Sequence, residues 1–164
     1  MIVDIEETIT IDRPRSEVAA YAMDPLHDTD WIDRLSRVDL ITDPPVRVGT
    51  QVRRVARFLG RNVDYVLEVT EHAPEERLAM RSIRSPFPML VTYTFADDGG
   101  DATRASVRVQ GGSSGFFRVA APLLAGRVRR GVHDDLQRLK RKLESGSGPS
   151  RQSGSGPSSR GLDS

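Results

Sequence analysis

A change of period constrains this chain more than any other feature. From Val3 to Gln110 apolar and polar residues alternate in short runs, as half-buried strands require. From Phe117 to Leu143 apolar residues instead recur at positions 117, 120, 124, 128, 132, 136, 139 and 143, steps of three or four that mark one long amphipathic helix. The stretch Gly111-Gly112-Ser113-Ser114-Gly115 separates the two regimes as a strand-to-helix turn, and it lacks the Gly-Lys-Ser/Thr ending of a nucleotide loop. A run of strands closed by a single helix has one economical solution, in which the apolar face of the sheet and the apolar stripe of the helix bury one another.

The strands can be read one by one. Val3, Ile5, Ile9 and Ile11 share a face, with Glu7 the polar residue among them. Asp12-Arg13-Pro14 stops this strand and starts a short helix carrying Val18, Tyr21 and Ala22. Asp24-Pro25 ends that helix, and the acid-rich stretch Leu26 to Leu35 predicts a second short helix or an ordered loop. Further strands follow over Val38–Ile41, Thr50–Leu59, Val63–Val69, Leu78–Met80, Met89–Phe95 and Ala105–Val109, joined by turns such as Gly60-Arg61-Asn62 and Asp97-Asp98-Gly99-Gly100. The predicted class is α+β: a curved antiparallel sheet of about seven strands wrapped around a long C-terminal helix, with two short helices after the first strand.

Composition sets the outer limits. Of the last twenty residues, Ser145 to Ser164, thirteen are Gly or Ser, which predicts a folded domain over 1–144 and a disordered tail over 145–164. The chain has 24 Lys+Arg against 23 Asp+Glu, so no global basic surface for DNA is expected. Locally, the outer face of the final helix forms a basic strip that a macromolecular partner would meet. There is no cysteine, which excludes thiol nucleophiles, Cys-based zinc sites and iron–sulfur ligation. No transmembrane segment and no export signal are read, and a cytoplasmic protein is expected.

The motifs Ile11-Asp12-Arg13-Pro14 followed by Glu17-Val18, Asp24-Pro25 with Trp31 after it, Val48-Gly49-Thr50, Gly60-Arg61 and Gly99-Gly100 carry a resemblance over residues 2–144. With the closing helix, the sequence resembles the START-related, birch-pollen-allergen-like (SRPBCC) superfamily, in its polyketide cyclase/dehydrase-like branch. The resemblance implies a helix-grip fold with a cavity between sheet and helix. Across the superfamily that cavity holds lipids, sterols, polyketides or other apolar molecules, and a few members use it for cyclisation or dehydration. Other members are co-chaperone-like or ribosome-associated, so the alternative to a ligand-binding protein is an interaction protein acting through the basic C-terminal helix.

Strand parity nominates the residues that would face such a cavity. Tyr65, Met80, Tyr93 and Phe95 lie on inward faces, and Leu124 and Val128 lie on the helix stripe. Trp31 stands where the short helices would close one end. On the strand from Thr50, the face with Val52, Ala56 and Phe58 includes Arg54, which must find a carboxylate if buried or else meet an anionic ligand. Glu7 is the conceivable partner from the first strand. Asp24, His27, Asp28 and Asp30 superficially offer metal ligands, but no second His lies nearby in the sequence and the Asp-rich turn reads as helix capping, with no metal expected and no cofactor required. Gly126 and Gly131 lie inside the long helix, where each weakens it by about 1 kcal/mol relative to Ala, and they predict extra space or a close approach there.

Overall fold

The computed structural model describes residues 3–112 and 115–146, and their side chains except those of 115–120. The readings made of Ser113, Ser114, the Phe116 and Phe117 side chains, and the tail beyond Gly146 lie outside the described residues. Seven strands form one antiparallel sheet: β1 (Val3–Ile11), β2 (Leu35–Leu40), β3 (Gln51–Phe58), β4 (Arg61–Ala73), β5 (Arg77–Arg84), β6 (Met89–Asp97) and β7 (Thr103–Gly111). Their spatial order is β1-β7-β6-β5-β4-β3-β2. Between β1 and β2 the chain crosses from one edge of the sheet to the other through α1 (Arg15–Ala22), a 3-10 turn (Pro25–His27) and α2 (Asp28–Trp31). The helix α3 (Gly115–Ser145) then lies across the inner face and packs chiefly on β1.

Local chemistry accounts for these elements. Asp24 caps the 3-10 turn by accepting the Leu26 N–H at 3.0 Å, and Pro25 occupies the first position, where its missing N–H is no loss. The β3–β4 hairpin turns through Leu59 and Gly60, at φ 51° and 76°, the left-handed pair that suits the twist of a two-residue hairpin. The register between β4 and β5 shifts at Val66/Leu67 and again at Val69/Glu71. Such bulges bend a strand and curl the sheet around its contents.

The inner face is apolar as the alternation demands. Val52, Leu67, Val69, Leu78, Met80, Tyr93, Phe95 and Ala105 are all buried, and Leu136, Leu139 and Leu143 meet them from α3. A smaller cluster of Val3, Ile5 and Leu124 seals the other end of the helix. The strand expected at Val38–Ile41 begins earlier, at Leu35, because Leu35 pairs with Ala56 across a bulge.

Candidate functional site

Sheet and helix do not close completely on one another. A cavity of about 180 Å³ remains between them, walled by side chains of α2, β3, β4, β6, β7 and α3. Ala56, Val63, Val91, Val107, Val109, Val128 and Val132 are among its lining residues, and small or branched side chains at these places help to leave the space. A second hollow of about 80 Å³, which Leu124 lines, adjoins it and shares Phe58, Phe87, Met89, Val109 and Val128 with the first. Phe58 and Phe87 stand together at this shared wall with ring centres 5.9 Å apart.

One region of the wall is polar. Arg54 projects from the inner face of β3 and is only 4% exposed. Its Nε and Nη2 donate to Asp28 Oδ2 at 3.1 and 2.7 Å, and Nη2 also donates to the Tyr93 hydroxyl at 3.2 Å. Tyr65 is the cross-strand neighbour of Arg54. Trp31 meets Tyr93 edge-on, with ring centres 5.6 Å apart. Arg54, Tyr65, Tyr93 and Trp31 all line the cavity, whereas Asp28 stands behind the guanidinium and is not on the wall.

The electrostatics follow from burial. Burial pushes the Asp28 carboxyl above its ordinary value, against the pull of Arg54. Burial works against the charge on Arg54 too, but Asp28 and the two tyrosine oxygens more than offset it, so the guanidinium stays charged. Tyr93 is pushed up to about 12 by burial, and Tyr65 is raised by the same cause against the opposing pull of Arg54. Both phenols therefore keep their protons near neutral pH, where they act as donors and not as bases.

On the helix wall Asp135 is a separate feature. Burial raises its carboxyl to about 6, although Oδ1 accepts the Asp33 N–H at 3.1 Å and Arg138 Nη1 at 3.3 Å. It is a cavity-lining acid that exchanges its proton close to neutral pH. Periodicity does not reveal it, because its position on the helix lies beside the apolar stripe and not within it.

The nominated residues separate into groups. Trp31, Arg54, Tyr65, Tyr93 and Val128 line the main cavity; Leu124 lines only the smaller hollow. Met80 and Phe95 are buried in the core, and neither is on the wall of either hollow. The Glu7–Arg54 pairing must be corrected: β7, β6, β5 and β4 lie between β1 and β3, so the two side chains cannot meet. Glu7 instead faces α3, with Arg129 at 3.8 Å and His133 at 3.6 Å. The partner of Arg54 is Asp28, one of the four residues of the cluster read as helix-capping. Of the other three, Asp24 does cap the 3-10 turn, Asp30 accepts from the Tyr21 hydroxyl at 2.9 Å, and His27 lies 3.2 Å from Asp30 and stacks on Tyr21.

A curled antiparallel sheet wrapped around a C-terminal helix is the helix-grip fold. The chain belongs to the family described as polyketide cyclase/dehydrase and lipid transport, whose profile matches residues 3–144. No curated protein matches the sequence. Among solved structures, a protein from Thermus thermophilus superposes with a TM-score of 0.75 at 20% identity, covering 88% of this chain and 99% of that one. The Zhui aromatase/cyclase of a Streptomyces species superposes with a TM-score of 0.72 at 16% identity, covering 89% and 98%. A START superfamily protein from Mycobacterium smegmatis gives 0.73 at 11% identity, covering 87% and 97%. Identities this low establish a shared fold.

Proposed function

We propose that this protein binds a compact lipophilic molecule, of one or two aromatic rings, in the cavity beneath α3. The observation that carries the reading is the cavity itself. Protein interiors seldom leave voids larger than a water molecule. The hollow, of about 180 Å³, is well beyond that size and its lining is mainly apolar, which suits a lipophilic molecule that fills it. Its size favours rings over long acyl chains, since an apolar cavity of about 150 Å³ accommodates a benzene.

The alternative, an interaction protein working through the basic face of α3, fits a filled core better than a hollow one. Arg127, Arg129 and Arg130 are exposed on that helix, as solvated side chains are.

The test is binding of naphthalene, read by quenching of Trp31, the only tryptophan, and by a rise in the unfolding temperature. Native mass spectrometry of the protein as purified adds an unbiased view of anything it already carries. Val128→Phe, which places a ring in the cavity from α3, is expected to abolish the binding while leaving the protein folded. No response to naphthalene together with no co-purifying mass would overturn the reading.

A further inference from the structure

We infer that the side chain of Arg34 is the door through which a ligand enters and leaves the cavity, and that Gly131 of α3 is the seat on which it closes. The inference rests on the cavity-binding reading and adds the route which that reading leaves open. Outside the cavity, along α3, runs a polar cleft lined by Asp33, Arg127, Arg130, Asp134 and Arg138. Three further residues, Arg34, Gly131 and Asp135, line this cleft and line the cavity as well. The partition between inside and outside is therefore thin there, and it is built from the residue just before β2 and from α3.

Of the three, only Arg34 is able to swing. Gly131 has no side chain, and Asp135 is held by the Asp33 N–H at 3.1 Å and by Arg138 Nη1 at 3.3 Å. The backbone of Arg34 is fixed too, since its carbonyl oxygen accepts the Arg57 N–H of β3 at 2.8 Å. Its side chain, however, crosses to α3, where Nη2 donates to the Arg127 carbonyl oxygen at 3.0 Å. The cleft carboxylates Asp33 and Asp135 pair with Arg138 instead. One hydrogen bond near solvent is a weak closure, unlike the two acceptors, Asp28 and Tyr93, that hold the guanidinium of Arg54. The glycine completes the device. A glycine inside a helix is unfavourable relative to alanine, but at 131 a Cβ would stand 2.8 Å from Arg34 Cζ, so the bare backbone is what lets the guanidinium lie against the helix and shut the gap.

The chain has no cysteine, so a thiol placed at position 34 is unique and can be capped and uncapped in the same protein. Binding of naphthalene is followed by stopped-flow quenching of Trp31, which lines the cavity. The ligand sits inside whether the door is open or shut, so removing the door changes both rates alike and leaves the dissociation constant within about twofold. Arg34→Cys is expected to raise the association and dissociation rates about fivefold each, the worth of one hydrogen bond. Treating that variant with 2-aminoethyl methanethiosulfonate builds back a side chain with a cationic donor at its end, and both rates are expected to fall again until a reductant removes the cap. A change in affinity without a common change in the two rates makes Arg34 an ordinary wall residue and overturns the inference. Rates unmoved in Arg34→Cys also overturn it, and a rise in Phe58→Ala then places the entrance at the smaller hollow. If naphthalene does not bind the unaltered protein, cavity binding itself fails and the inference with it.

Discussion

Removing Asp28 leaves a guanidinium that cannot lose its charge sealed beneath α2. Asp28→Asn is therefore expected to destabilise the protein by about 3–5 kcal/mol, the usual result of stripping one partner from a buried pair. Denaturant unfolding measures it. The double variant Asp28→Leu/Arg54→Met removes both charges and is expected to recover most of that loss; a double variant as unstable as the single would assign the effect to packing. Asp135 gives a prediction of a different kind. Its folded value of about 6 lies above the unfolded carboxylate value, so the folded state holds that proton more tightly than the unfolded chain does. The resulting stabilisation is complete below about pH 4 and is lost as pH rises through about 6. Asp135→Asn, which still accepts the Asp33 N–H, is expected to flatten the stability profile across this window by on the order of 2–3 kcal/mol. Parallel profiles for the two proteins would refute it.

At the scale of elements, the two helix glycines separate cleanly. A Cβ at Gly126 meets nothing within 4 Å, so Gly126→Ala is expected to stabilise α3 by about 1 kcal/mol. At Gly131 a Cβ would fall 2.8 Å from Arg34 Cζ, so the same change displaces the guanidinium that donates to the Arg127 carbonyl at 3.0 Å. Gly131→Ala is expected to gain clearly less than Gly126→Ala in thermal unfolding, and equal gains would mean that Arg34 moves aside freely. The glycines show how far periodicity reaches. Position in a helix identifies both as unusual, but only the return of the chain to β2 reveals which one has a neighbour. The same holds for Arg54. Strand alternation places it on the inner face and requires a partner, yet parity alone points equally to Glu7, whose inward place on β1 is correct. Strand order decides between the candidates, and strand order is set by long-range pairing that no local pattern encodes. Asp28 is hidden for a related reason: among Asp24, Asp28, Asp30 and Asp33, capping chemistry is alike, and only the crossover over the sheet buries one of them to 1% exposure.

At the scale of the whole molecule, the cavity ties binding to stability. A ligand that occupies it in the folded state alone stabilises by about 2.7 kcal/mol at a hundredfold excess over its dissociation constant. The unfolding midpoint is accordingly expected to rise with the logarithm of ligand concentration in the unaltered protein and to stay constant in Val128→Phe. The sheet order has a consequence of another sort, in time. Val3 pairs with Gly111 and Ile11 with Thr103, and β1 has no other strand beside it. During synthesis β1 must therefore wait, unpaired, until β7, the last strand of the sheet, has followed it. Closure of so long a loop is slow relative to the local hairpins. In refolding followed by pulsed hydrogen exchange, the amides of β4 and β5 are expected to gain protection before those of β1. Until that late pairing occurs, the nine residues of β1 are an open β-edge, and the nascent chain is most exposed to misassembly there.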